Sequence, residues 1–193
     1  METKTTYFEK PGPANTETTM RLARERADER GIRQVVVAST WGDTALKATD
    51  IFAGFKVVVV GIVTGPREHD PESTVYQPFS PEAKKTIEAK GGVVLHTAHA
   101  FGGITRALRD QQDWKTSPIA LISAALRVFG RGMKVACEVA MMAADSGLVS
   151  ITEDAIVIAG SGRGADTAVV LRPVNAHRFF DLKVKEIICK PLL

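Results

Sequence analysis

The sequence predicts an α/β domain built on a mostly parallel sheet. Three observations carry that prediction. Strand-like runs alternate with helical periods from residue 34 onward, the pattern of strand–helix–strand units. The run 57–60 is four consecutive valines, apolar on both faces as in a strand covered by helices from both sides. The last strand-like runs have no helix between them, which places an antiparallel strand at one edge. The 193 residues fit one domain, 1–193, with a single long insertion at 64–79.

Residues 15–30 read as a helix, with Asn15 or Thr16 as its cap and Gly31 as its stop. Pro11, Gly12 and Pro13 stiffen the chain before it. The β-branched run 34–38 is the first strand, 43–52 a helix ended near Gly54, and 57–60 the second strand. Ser80 caps a helix over 81–90, which Gly91 and Gly92 stop before a third strand at 92–95. Ser117-Pro118 opens a helix over 117–129, and 132–145 is another, closed by Ser146-Gly147. Strands four, five and six fall at 155–159, 167–172 and 184–189. The insertion 64–79 holds three prolines and no periodicity. It reads as a lid, a binding loop or a surface segment, since connections of this length are uncommon in compact domains.

Composition narrows the function classes. Apolar residues make up 45% and charged residues 24%, which excludes a disordered chain, a collagen-like repeat and a coiled coil. No apolar run reaches the ~18 residues of a membrane span. Residues 1–10 are polar and carry no signal-peptide core, so a cytoplasmic protein is expected. With 25 Lys and Arg against 22 Asp and Glu, the net charge is +3. The densest cluster, 21–33, alternates Arg with Glu and Asp like a solvated helix face, so no nucleic-acid partner is expected. Cys137 and Cys189 are isolated in apolar stretches without metal-ligand spacing, and read as buried thiols.

In open α/β sheets ligands bind beyond the carboxyl ends of the strands, where the connections change direction. Three loops lie there. Ser39-Thr40-Trp41-Gly42-Asp43-Thr44 follows the first strand and leads straight into a helix. Hydroxyls, a glycine and free helix amides suit a phosphate, though Ser39 or Thr40 could simply cap that helix. Gly160-Ser161-Gly162-Arg163-Gly164-Ala165-Asp166-Thr167 follows the fourth strand. Gly162 and Gly164 would expose amides and Arg163 could hold an anion, or the segment could be only a flexible turn. The spacing fits neither the dinucleotide fingerprint nor a Walker motif. His96-Thr97-Ala98-His99 follows the third strand. These two histidines suit hydrogen bonding to a ligand, or packing beneath the insertion, better than a metal, for which a third ligand is missing.

Two runs, 34–45 and 135–172, resemble the C-terminal domain of pyruvate kinase. The first carries Ser39, Trp41, Gly42, Thr44 and Ala45 in place of that family's Thr-x-Thr/Ser-Gly-x-Ser/Thr-Ala phosphate loop. The second runs through helix 135–144, Gly147-Leu148, strand 155–160 and the turn into 164–171. Trp41 stands where the family has a hydroxyl residue, and Asp43 where some relatives have Arg. The family's catalytic barrel has no counterpart in the sequence, so kinase activity does not carry over. Pro11-Gly12 with Asn15-Thr16, and Thr97-Ala98-His99-Ala100-Phe101-Gly102-Gly103, look like an archaeal-type group of stand-alone relatives in which FMN has been seen bound. The resemblance implies a three-layer α/β/α domain with sheet order 3-2-1-4-5, the fifth strand antiparallel, and helices on both faces.

That order would bring the first and fourth strand loops together around one site. The expected function is binding of FMN or a similar phosphorylated small molecule. Ser39, Thr40, Gly42 and Thr44 would take the phosphate, and Trp41 would stack on a flat heterocycle. Gly162, Arg163, Gly164 and Thr167 would close the second side, and His96 and His99 would cover the rest. Asp43, repelled by a phosphate, is expected to point away. No residue names a reaction, and two alternatives stand beside this reading. One is a non-catalytic sensing or assembly module, a homo-oligomer supported by helix 135–144 and strand 184–189. The other is a phosphate-ester enzyme with His96 or His99 as general acid or base.

Overall fold

A computed structural model describes residues 2–65, 76–109 and 117–192. Most of the insertion, 66–75, lies outside the described residues, and with it the expectation of a lid. The chain forms seven strands and six helices among the described residues. The strands are β1 Thr6–Phe8, β2 Gln34–Ala38, β3 Lys56–Val60, β4 Val93–Leu95, β5 Ala155–Ala159, β6 Thr167–Arg172 and β7 Lys183–Pro191. The helices are α1 Thr16–Arg30, α2 Asp43–Ile51, α3 Pro81–Ala89, α4 Gly103–Arg109, α5 Pro118–Arg127 and α6 Arg131–Asp145.

The sheet runs β1-β7-β6-β5-β2-β3-β4. Its β4-β3-β2-β5-β6 portion is the order 3-2-1-4-5 expected from the resemblance, and β6 pairs antiparallel with β5 in register from Ala155–Leu171 to Ala159–Thr167. The sheet does not end there. β7 pairs antiparallel with β6, and β1 pairs parallel with β7, so β6 is an inner strand and β1 forms the edge. β1 was not anticipated because three residues show too little alternation to read as a strand.

Every residue of β5 and four of the five in β2 and β3 are buried, as the unbroken β-branched runs require. The side chains alternate between two cores. Val35, Val37, Ile156 and Ile158 meet Met20 and Ala23 of α1, Ala45 and Ala48 of α2, and Ile87 of α3. Val36, Val58 and Val157 meet Met133, Ala136, Ala140 and Ala143 of α6. Alanines on α6 let the helix sit close to the sheet. Its far side, Cys137 and Met141, packs against Phe101, Ile122, Leu126 and Phe179. α6 is therefore covered on both sides, and β1 covers the C-terminal end of β7, whose first residues, Lys183–Lys185, stay exposed.

Ser80 and Ser117 cap α3 and α5 as expected, accepting from the Ala83 and Ala120 amides at 3.1 Å each. Asn15 and Thr16 do not cap α1. A 3-10 turn, Pro13–Asn15, runs directly into the helix. Asn15 Nδ2 donates to the Lys10 carbonyl at 2.7 Å, and Thr16 Oγ1 accepts from the Ala165 amide at 3.0 Å. Thr16 thus ties α1 to the β5–β6 turn. A Cβ at Gly132 would fall 2.1 Å from Thr167 Oγ1, so glycine there permits the first turn of α6 to seat against β6.

Candidate functional site

The carboxyl ends of β2, β3 and β5 open into a cavity of about 580 Å³. It lies where the connections change direction, since β2 has β3 on one side and β5 on the other. One wall is the β2–α2 loop, a second the β5–β6 turn, and a third the face of α6 that carries Arg131, Lys134, Val135, Glu138 and Val139. The predicted residues Ser39, Thr40, Trp41, Thr44, His99, Gly162, Arg163 and Gly164 all line this cavity. Both glycine-containing loops meet, as the sheet order requires.

Gly42, His96 and Thr167 are placed elsewhere. Gly42 is the N-cap residue of α2, at φ 103°, a backbone conformation that favours glycine. A Cβ there would also lie 2.7 Å from Ala83 Cβ. It shapes the turn from behind the wall. His96 packs on Gly61, where a Cβ would fall 2.6 Å from its Nδ1, and lies edge-on to Phe79 at 5.4 Å. Burial lowers its pKa, the Lys84 charge adds to this, and a backbone contact at Ile62 opposes both. Its ring packs against Gly61 and Phe79 and is not among the residues that line the cavity. The Thr167 hydroxyl is turned inward and donates to Asp166 at 2.8 Å. Asp43, expected to point away, is exposed and among the lining residues. As the first residue of α2 it gains from the helix dipole, which opposes its repulsion by a nearby anion.

The α2 terminus settles the capping alternative for the β2–α2 loop. The cap is Gly42 and no side chain caps the helix; Ser39 Oγ accepts from the Gly42 amide at 3.2 Å and pins the turn instead. The first amides of α2 are thus left without a side-chain acceptor. Thr44, in that first turn, is only 5% exposed and lines the cavity. Its hydroxyl has no hydrogen-bond partner among the described residues.

Charge around the cavity is mostly positive. Arg127, Arg131 and Arg163 line it, and none has a carboxylate within salt-bridge distance among the described residues. The Arg163 guanidinium lies 5.8 Å from the centre of the Trp41 ring, joining the two loops across the opening. Trp41 remains 45% exposed. Asp166, fully buried, organises the β5–β6 turn: its Oδ2 accepts from the Ser161 amide at 3.1 Å and from the Gly12 amide at 3.0 Å.

Lys134 and Glu138 were not anticipated as site residues. They form an ion pair one turn apart on α6, both nearly enclosed. Glu138 Oε1 accepts from the Phe101 amide at 2.8 Å, and its Oε2 lies 3.8 Å from His99 Nδ1. Burial alone would raise the Glu138 pKa. His99, Lys134 and the Phe101 amide together overcome it and hold the group at about 2. A charged pair at i, i+4 within an otherwise apolar helix was the signal that could have revealed them.

No family model matches the sequence. The chain aligns structurally with a pyruvate kinase from Cryptosporidium parvum at 13% identity and a TM-score of 0.43, over 84% of this chain and 23% of that one. A Cryptosporidium parvum pyruvate kinase in complex with ADP aligns at 15% identity and the same TM-score, over 84% of this chain and 24% of that one. The chain spans about a quarter of the length of these pyruvate kinases.

Proposed function

We propose that the protein binds FMN or a similar phosphorylated small molecule in the cavity between β2 and β5, as do members of the archaeal-type group its motifs resemble. One observation carries the reading. The uncapped N-terminus of α2 presents the Thr44 hydroxyl, which has no partner among the described residues, to a cavity bordered by three guanidinium groups without carboxylate partners among those residues. Helix amides, a free hydroxyl and arginines are the donor set a phosphate monoester satisfies.

The donor set fits FMN as well as simpler phosphate esters. Thr44, Thr40 and the α2 amides would hold the phosphate. The exposed face of Trp41, beside Arg163, would take a flat heterocycle. When bound, a flavin supplies redox chemistry, while this chain's residues bind and orient it. The cytoplasm is the compartment we propose. Among the described residues no helix is long and apolar enough to cross a membrane, and Cys137 and Cys189 are free, buried thiols.

Titration of the purified protein with FMN and with riboflavin, followed by flavin fluorescence and Trp quenching, tests the reading. Binding of FMN at least about tenfold tighter than riboflavin is expected, the loss of one or two charge-assisted hydrogen bonds. Equal affinity, or no binding of either FMN or phosphate esters, overturns it.

A further inference from the structure

We propose that the same cavity is a proton-transfer site for phosphorylated carbonyl compounds, with His99 as the base, Lys134 as the donor to the developing oxyanion, and Glu138 positioning both. The inference rests on the phosphate-binding reading above, because that reading supplies the anchor holding the carbonyl compound against α6.

The cluster places charge where burial is costly. α6 buries twelve of its fifteen residues, and of these only Lys134 and Glu138 are charged. A buried ion pair contributes little or nothing to stability relative to apolar residues of the same volume. This pair occupies the cavity wall rather than the sheet side, and titratable groups held in a cleft by specific partners mark functional sites. The Glu138 carboxylate is fixed by the Phe101 amide on one oxygen and shared by Lys134 and His99 on the other. A carboxylate beside Nδ1 favours the tautomer with the proton on that nitrogen, leaving the Nε2 lone pair as the base. Lys134 gives one of its three N–H groups to Glu138 and keeps the others for a ligand oxygen. His96, packed against Gly61 and Phe79, takes no part.

The step is balanced without any oxidant or reductant. His99 Nε2 takes a proton from the carbon next to the carbonyl, and the C–H electron pair becomes a C=C bond. The carbonyl π pair moves onto oxygen, giving an enolate that accepts a hydrogen bond from Lys134 Nζ. Return of the proton from His99 to carbon restores the substrate. In heavy water the returning hydron is deuterium.

The test uses dihydroxyacetone phosphate in D₂O, with loss of the C–H signal next to the carbonyl followed by proton NMR and FMN affinity measured on the same samples. The wild-type protein is expected to accelerate exchange above buffer. His99→Gln should lower the rate by about 100-fold or more, the usual contribution of a general base. Glu138→Gln should lower kcat by roughly tenfold with KM nearly unchanged, a split that loss of binding alone does not produce. Lys134→Arg keeps the charge in place if shorter or neutral replacements unfold. FMN binding without exchange overturns the proton-transfer inference and leaves the binding reading intact. Failure to bind FMN or any phosphate ester overturns the reading beneath it. Exchange that survives His99→Gln, or that is lost with His99→Gln but unchanged by a folded Lys134→Met, removes His99 or Lys134 respectively from the step.

Discussion

Thr44 and Glu138 show how one side chain can be informative or silent in a sequence. Thr44 was legible because a hydroxyl at a strand–loop–helix junction has a known use for anions. Removing its hydroxyl should weaken FMN binding by about 1.5–3 kcal/mol, the range for a hydrogen bond to a charged group, and leave riboflavin nearly unaffected. Calorimetric titration of Thr44→Val with both ligands checks this. Glu138 was harder to read: only Lys134 stands near it in sequence, one turn away on α6, while His99 and the Phe101 amide come from the segment between β4 and α4 and meet it only after folding. Its pKa lies at about 2, below the ordinary 4.5. The stability it contributes is therefore full above about pH 4.5 and lost as pH falls toward 2. Urea unfolding of the wild type and Glu138→Gln should differ most at neutral pH, with the gap closing through that acid window. A constant gap would mean that the carboxylate is not held ionised by its neighbours. Burial also pushes Cys137 and Cys189 up to about 11. Neither thiol should react with a thiol reagent at neutral pH before unfolding, as mass spectrometry of labelled native protein would show.

At the scale of elements, the sequence was most readable where one physical signal ruled. β2, β5 and β6 begin and end where their β-branched runs do, because both faces of each strand are covered. α3 and α5 begin where a serine precedes a proline. The misreadings arise where tertiary partners decide. β1 exists through its pairing with β7, and α4 begins inside Gly102-Gly103, which reads locally as a loop. Asn15 and Thr16 lose the capping role to a 3-10 turn because Thr16 is needed by the β5–β6 turn. Gly132 is a helix-interior glycine whose reason is likewise tertiary. Gly132→Ala would force the first turn of α6 away from Thr167 and Asp166. A loss of about 2 kcal/mol or more is expected, within the range for overpacking, from chemical denaturation. An unchanged midpoint would show that the helix start has room to shift.

At the scale of the whole molecule, the sheet order turns separate loops into one site. β2 and β5 are adjacent and parallel, with Val35, Val36 and Val37 opposite Ile156, Val157 and Ile158. Their following loops must therefore open side by side. This much was legible from strand order, since eight of the eleven expected site residues line a single cavity. The third wall was not, because α6 reaches the cavity by crossing the opposite face of the sheet, and periodicity shows that a helix is buried without showing beside which loop. The proposed site puts the ligand's phosphate at the start of α2. It is tested most directly by amide chemical shifts in isotope-labelled protein titrated with FMN and, separately, with riboflavin. The amides of Asp43, Thr44 and Ala45 are expected to shift strongly with FMN and little with riboflavin. If those three amides stay in place while FMN binds, the phosphate is held elsewhere and the α2 site is refuted.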